Sequence, residues 1–181
     1  IAPENMIWID ALDVKVKQNI EKGILNAYKA VITDKDDDIV VFKVANNEQS
    51  SSIYNFKKHR EYYPNIYYTH GIEERTITID TFFQRTGIDP SKYTFWNFDI
   101  QGAEFLALKG AKESIKYAKL LYLEINFEEV YEGCVLADNL DALLKEYGFK
   151  RIHTAVTDYG WGDALYCLLY TSDAADDLLC V

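Results

Sequence analysis

The sequence predicts an α/β domain with a mostly parallel sheet and an antiparallel pair of strands at its carboxyl-terminal end. Short apolar runs alternate with amphipathic segments, as in folds where helices connect parallel strands. Three of these runs end in or beside an acidic residue. The final two apolar runs of the chain follow each other without a helix between them. We expect one domain over residues 1–169. Residues 170–181, whose acidic run looks appended, are predicted to form a non-native or disordered tail.

Three runs rich in β-forming residues predict strands in the first third of the chain: residues 6–9, 28–33 and 39–44. Between the first two, Asp13 is predicted to cap a helix and Gly23 to end it, because apolar residues recur four positions apart. The aromatic and charged stretch over residues 53–68 has no clear period, and the sequence predicts no element there.

Five further runs predict strands in the rest of the chain: residues 76–79, 93–100, 120–125, 151–157 and 164–169. Asp80 is predicted to open a short helix after the first of them. Another helix follows the turn at residues 101–104, and Gly110 is expected to interrupt it before it continues to Tyr117. Asp138 is predicted to cap the helix with the clearest apolar stripe.

The charge balance of the chain restricts its partners. The 29 acidic and 19 basic residues give a formal net charge of -10, which argues against nucleic acid or an anionic membrane as the main partner. Because no apolar run is long enough to span a bilayer and no signal peptide opens the chain, the sequence predicts a cytoplasmic protein. Histidines, cysteines and carboxylates do not have the spacing of a zinc site, so no metal is expected.

Acidic residues at strand ends are the first candidates for chemistry, because ligands of open α/β sheets bind beyond the carboxyl ends of the strands. Asp10 follows a strand and precedes a helix, where a carboxylate can accept both hydroxyls of a ribose; alternatively it is a solvated strand end. Asp99 is either a base in a cleft or a carboxylate bonded to backbone donors of the next turn. Glu124 is the third strand-end acid, whereas Glu104 is expected only to complement a helix dipole.

His59 and His70 flank the aromatic stretch, which is a candidate position for a substrate loop. Either imidazole is a candidate general base, since its unperturbed pKa lies close to neutrality. The alternative is that both are ordinary surface residues.

Two motifs resemble a known family. The run NFDIQGAE at residues 97–104, followed by LKGA at 108–111, resembles the signature of FkbM-type methyltransferases that depend on S-adenosylmethionine. Weaker matches occur in the same order around it, at residues 9–11, 30–34, 50–52, 78–80 and 148–149. The resemblance extends over roughly residues 5 to 168.

The resemblance implies a Rossmann-like methyltransferase sheet and transfer of a methyl group from S-adenosylmethionine, usually to a hydroxyl oxygen. A small molecule or a carbohydrate is the acceptor that it suggests. The family's first strand and glycine-rich cofactor loop have no counterpart in the sequence, so the sheet is expected to lack them. A nicotinamide-dependent oxidoreductase of Rossmann type and a truncated, non-catalytic domain stay open as alternatives, because a strand-end acid serves a ribose in either cofactor.

Residue by residue, the resemblance implies a cofactor site made of Asp10, Ala11, Thr33, Asp34, Asp99 and Gln101. Asp10 would hold the ribose diol, Thr33 and Asp34 would lie near the adenine, and Asp99 would lie near the methionyl part or the acceptor. The reaction requires a base for one proton, and Asp99 is the first candidate, with His59 and His70 as alternatives.

Overall fold

The computed structural model describes residues 2–169, and nine strands and five α-helices occur in this range. The strands are β1 Trp8–Asp10, β2 Ala27–Lys29, β3 Val31–Ile32, β4 Ile39–Ala45, β5 Tyr68–Ile77, β6 Phe95–Phe98, β7 Leu120–Asn126, β8 Phe149–Val156 and β9 Trp161–Leu168. The helices are α1 Asp13–Glu21, α2 His59–Tyr62, α3 Ile79–Thr86, α4 Glu104–Lys109 and α5 Ala137–Glu146. Short 3-10 helices occupy Pro3–Asn5, Pro90–Lys92 and Ile115–Tyr117. The predicted tail, residues 170–181, lies outside the described range.

The strands form three sheets with the orders β1-β2, β3-β5-β4 and β6-β7-β9-β8. The pairs β1-β2, β3-β5 and β6-β7 are parallel, whereas β4-β5, β7-β9 and β8-β9 are antiparallel. The expected α/β class and the antiparallel pair at the carboxyl-terminal end are therefore confirmed. The prediction of a mostly parallel sheet is wrong for residues 2–169. Strand β5 runs antiparallel to β4, and β9 lies between β7 and β8 and is antiparallel to both.

The predicted strand over residues 28–33 is split between two sheets. Its first half, β2, pairs with β1, and its second half, β3, pairs with β5. Ala30 separates the halves and donates its N–H to the carbonyl of Asp10 at 3.0 Å. One β-forming run thus connects the β1-β2 pair to the three-stranded sheet.

The largest core cluster lies between one face of the four-stranded sheet and helices α4 and α5. Leu121, Leu123 and Ile125 alternate along β7 and are almost fully buried on this face, against Leu140 and Leu144 of α5. Residues between them, including Glu124, consequently point to the other face of the sheet. The core therefore fixes where the carboxyl end of β7 presents its acid.

Three predicted helix caps differ from the structure. Thr78 caps α3 by accepting the N–H of Thr81 at 3.1 Å, while the Asp80 carboxylate accepts the N–H groups of Glu113 and Ser114 at 2.9 and 2.8 Å. Asp13 and Asp138 lie inside the first turns of α1 and α5, which begin one and two residues earlier, respectively, than caps at these positions imply. Acidic side chains in a first turn still stabilise the helix dipole.

Helix α4 ends at Lys109 and does not continue to Tyr117 as predicted. The chain turns at Gly110 and forms the 3-10 helix Ile115–Tyr117 instead. Gly110 is required here, because an added Cβ would collide with the carbonyl oxygen of Thr33 and lie 3.2 Å from the Cβ of Thr78. The glycine lets the end of α4 dock on the residues after β3.

The stretch without a sequence prediction, residues 53–68, contains α2 and packs against the loop after β7. Phe56 forms an isolated antiparallel bridge with Tyr131, and the two lysines that follow Phe56 form ion pairs with that loop. Lys57 pairs with Glu129 at 2.5 Å, and Lys58 pairs with Glu128. We call residues 55–63 the strap, and residues 127–134 the β7 loop. Within residues 2–169, no helix has the length and apolarity needed to cross a membrane.

Candidate functional site

Asp10 ends β1 and is half-buried before α1 begins. Its Oδ1 accepts the N–H of Leu12 at 2.9 Å, which orients the carboxylate at the strand end. Burial raises the pKa of Asp10, while the bonds from Leu12 and the Trp8 indole and the charge of Lys15 oppose this rise. An ionised carboxylate has about four acceptor positions, so these two donors leave capacity for the hydroxyls of a ribose. The residue fits the role that the resemblance implies.

A chain of contacts links the surroundings of Asp10 to the turn after β6. Lys15 forms an ion pair with Glu48 at 2.6 Å, and the Glu48 carbonyl accepts the hydroxyl of Ser51 at 2.7 Å. The next residue, Ser52, is fully buried and donates its hydroxyl to the carbonyl of Gln101 at 2.8 Å. Residues 50–52, which we call the serine segment, therefore join two of the predicted site regions.

Gln101 lies at the centre of the turn after β6. Its backbone has a left-handed φ of 54°, which is uncommon for a residue with a side chain, and Gly102 follows with a φ of 96°. The amide Nε2 donates to Asp99 Oδ1 at 2.5 Å and to Glu124 Oε2 at 3.1 Å, while Oε1 accepts the hydroxyl of Tyr131. One amide thus bridges Asp99, which follows β6, and Glu124, which lies near the end of β7.

Two glutamates lie beneath this turn, and Glu104 is buried whereas Glu124 is half-buried. Glu104 is 3% exposed and accepts the N–H of Ile100 at 2.9 Å, and burial raises its pKa to about 7. Burial and the neighbouring charges of Glu104 and Asp99 raise the pKa of Glu124 to about 9, against the bond from Gln101. Glu104 does more than complement the helix dipole, because its buried carboxylate accepts a backbone N–H of the turn and so holds the turn against α4. At neutral pH, Glu124 retains its proton and adds no charge beside Asp99.

Asp99 itself is exposed at the carboxyl end of β6. In the turn after β6, the Glu104 carboxylate accepts the backbone N–H of Ile100. The Asp99 carboxylate accepts a hydrogen bond from the side-chain amide of Gln101. An accessible carboxylate held by a single side-chain donor can accept a proton from a bound hydroxyl group. The geometry is compatible with the base role.

The remaining predicted cofactor residues lie in two places. Ala11 follows Asp10 directly and precedes α1. Thr33 is buried, and its Oγ1 bonds with the backbone of Lys35. Asp34 forms an ion pair with Lys109 at 3.1 Å. Thr33 and Asp34 thus lie against the end of α4 and its neighbours, and no hydrogen bond or ion pair within residues 2–169 joins their side chains to Asp10.

The two histidines differ in their surroundings. His59 is 4% exposed, stacks on Phe56 with ring centroids 4.1 Å apart, and its Nδ1 has no hydrogen-bond partner among residues 2–169. Burial lowers the pKa of His59 to about 4, which makes it a poor base at neutral pH. His70 is exposed on β5, where the hydroxyl of Thr69 lies 2.9 Å from its Nδ1. His59 is therefore a weaker base candidate than Asp99, whereas His70 stays an alternative base.

Tyr131 is the site residue that the sequence did not indicate. It is 1% exposed on the β7 loop and touches Gln101 through its hydroxyl. Its position just beyond the carboxyl end of β7 is the one signal that points to it, because such loops line ligand sites in α/β sheets. No group of three or more histidines, cysteines or carboxylates in the described range is arranged to hold a metal ion.

Comparison with known proteins gives one match. The family model described as the Methyltransferase FkbM domain matches residues 7–151, well over half of the chain. The matched range contains Asp10, Gln101, Glu124 and Tyr131. The searches of the curated proteins and of the solved structures found no match.

Proposed function

Because the chain belongs to the FkbM methyltransferase family, we propose that it transfers the methyl group of S-adenosylmethionine to a hydroxyl oxygen of a small molecule or a sugar. The observation that carries the proposal is the pair of carboxylates, Asp10 and Asp99, at the carboxyl ends of β1 and β6. The serine segment connects their surroundings, as described above.

Each carboxylate has a distinct role in this proposal. S-adenosylmethionine supplies a methyl group that its sulfonium charge already activates. Asp10 accepts the ribose hydroxyls, with Ala11 beside it. Asp99 accepts the proton of the acceptor hydroxyl, and Gln101 holds that carboxylate in place. The protein therefore has to align the acceptor oxygen and remove one proton, which are tasks of position and basicity.

Calorimetric titration of the chain with S-adenosylhomocysteine, S-adenosylmethionine and NAD tests the choice of cofactor. We expect heat of binding with the two sulfur-containing ligands and none with NAD. Binding of NAD alone would favour the nicotinamide-dependent oxidoreductase. A chain that folds and binds none of the three ligands would be the non-catalytic domain.

Asp10→Asn is expected to weaken binding of S-adenosylhomocysteine by about 10-fold to 100-fold. The change keeps the shape of the side chain but removes a charged hydrogen bond worth about 1–3 kcal/mol. Asp13→Asn is the matched control, because that exposed carboxylate lies nearby at the start of α1 and pairs with Lys29. Equal affinities of Asp10→Asn and the unmodified chain would contradict the ribose role.

Asp99→Asn is expected to lower kcat by about 100-fold, since a positioned base contributes 10²-fold to 10⁴-fold. The assay screens sugars and hydroxylated small molecules as acceptors with methyl-labelled S-adenosylmethionine, and then measures kcat on the best of them. The Kd of S-adenosylhomocysteine should change little. Asp138→Asn, an exposed carboxylate on α5, serves as control. An unchanged kcat for Asp99→Asn would remove Asp99 from the base role.

A further inference from the structure

We propose that Tyr131 is a positioning residue: its hydroxyl fixes the amide of Gln101 so that this amide bridges Asp99 and Glu124. The proposal deepens the proposed function, because it assigns a residue that holds the base in place. Tyr131 itself touches neither carboxylate in the described hydrogen bonds; it acts through Gln101.

The orientation of the Gln101 amide is the quantity that Tyr131 controls. An amide presents an acceptor oxygen on one side and a nitrogen with two donors on the other. In the structure, the nitrogen faces the two acids and the oxygen faces the Tyr131 hydroxyl. After a half-turn of the amide, its oxygen would face the Asp99 carboxylate, and both bridging bonds would be lost. The hydroxyl of Tyr131 favours the bridging orientation because it donates to Oε1.

Tyr131 is itself held rigidly. Its ring is almost fully buried and packs against Phe56 and His59 of the strap, with centroids 5.7 and 5.5 Å apart. An added Cβ on Gly102 would lie 3.3 Å from the Tyr131 Cβ, so the backbone of the turn passes directly against this residue. A ring fixed from both sides can hold its hydroxyl at one place.

The two lysine pairs of the strap anchor the same loop. They connect Lys57 and Lys58 to Glu129 and Glu128, and the hydroxyl of Tyr62 also donates to Glu128 at 3.0 Å. The position of Tyr131 therefore depends on the docking of the strap, and the Tyr131 hydroxyl links the β7 loop to Gln101.

Tyr131→Phe removes that hydroxyl and keeps the ring. The matched control is Tyr68→Phe, because Tyr68 also packs its ring on Phe56, at 3.9 Å, but donates its hydroxyl to the carbonyl of Tyr54. The readout is the pH midpoint at which Glu124 titrates. Carbon NMR measures this midpoint in chains labelled at the glutamate carboxyl carbon. A residue that only fills space would leave this midpoint unchanged.

In Tyr131→Phe, we expect the Glu124 midpoint to rise by about one pH unit, since the bond from Gln101 stabilises the charged carboxylate. Tyr68→Phe should titrate like the unmodified chain. Gln101→Met, which removes the amide itself, should give the same rise. If Tyr131→Phe does not fold, an unchanged Glu124 midpoint in Gln101→Met would overturn the proposal. An unchanged Glu124 midpoint in the folded variant would overturn the proposal.

This result is separable from the cofactor assignment. A shifted midpoint in a chain that binds no S-adenosylhomocysteine would support the role of Tyr131 and contradict the proposed methyl donor. Binding of S-adenosylhomocysteine with no shift in Tyr131→Phe would leave the donor in place and refute the positioning role.

Discussion

Ionisation of Glu124 should lower the stability of the chain by about 5 kcal/mol between pH 5 and pH 9.5, and Glu124→Gln should remove that loss. The ordinary pKa of a glutamate is 4.5, and burial raises that of Glu124 to about 9. Below the ordinary value, both the folded and unfolded states carry the proton. Between the two values, only the folded state keeps the proton, so stability falls progressively from the ordinary pKa up to the folded pKa and then levels off.

Thermal or urea unfolding at a series of pH values measures this effect. Glutamine resembles a protonated glutamate, so Glu124→Gln should be more stable than the unmodified chain above pH 8. Glu104→Gln should act in the same direction over the narrower range up to about pH 7, where its raised pKa lies. Glu146→Gln, on the exposed side of α5, is the control. Parallel stability curves for Glu124→Gln and the unmodified chain would show that this carboxyl group ionises freely in the folded protein.

Gly110→Ala is expected to destabilise the chain by about 3 kcal/mol. The added Cβ would strike the backbone carbonyl of Thr33, and relief requires movement of either α4 or the segment after β3. Both are held in place: the Gly110 carbonyl accepts the N–H of Asp80 at 3.1 Å, and the Thr33 N–H donates to Ile77 at 3.1 Å. Chemical denaturation gives the free energy of unfolding directly.

Gly133→Ala is the control that separates the steric collision at Gly110 from the free-energy cost of replacing any glycine by alanine. Gly133 has a left-handed φ of 77°, but its Cβ position has no atom within 4 Å among the described residues. Its substitution should therefore cost about 1 kcal/mol from backbone strain alone. A loss for Gly110→Ala no larger than that for Gly133→Ala would mean that the backbone beside Thr33 can move freely.

The elements that the sequence predicted best are those whose apolar residues pack into the core. The apolar run of β7 and the periodic stripe of α5 both face the main cluster, so local pattern and tertiary packing agree. The strand over residues 28–33 was predicted as one piece, because its composition does not encode that its halves have different partners. The single turn of α2 is too short for a periodic signal, and contacts with the β7 loop hold it in place.

The candidate site was predictable only in part. Strand-end position was enough to select Asp10, Asp99 and Glu124 from the sequence. The burial of Glu104 and the contact of Tyr131 depend on how distant segments fold over the turn after β6, which no local pattern records. The helix caps at Asp13 and Asp138 were displaced by a residue or two, the usual uncertainty at helix ends.

The insertion of β9 between β7 and β8 has a consequence for the order in which the protein folds during synthesis. Among the described strands, β8 pairs only with β9, so β8 has no neighbour in its sheet until β9 has been made. The ribosome must therefore synthesise the chain through Leu168 before the four-stranded sheet closes, and the edge of β7 that pairs with β9 stays unpaired until then. A nascent chain halted between β8 and β9 should be a good substrate for chaperones that bind exposed apolar strands.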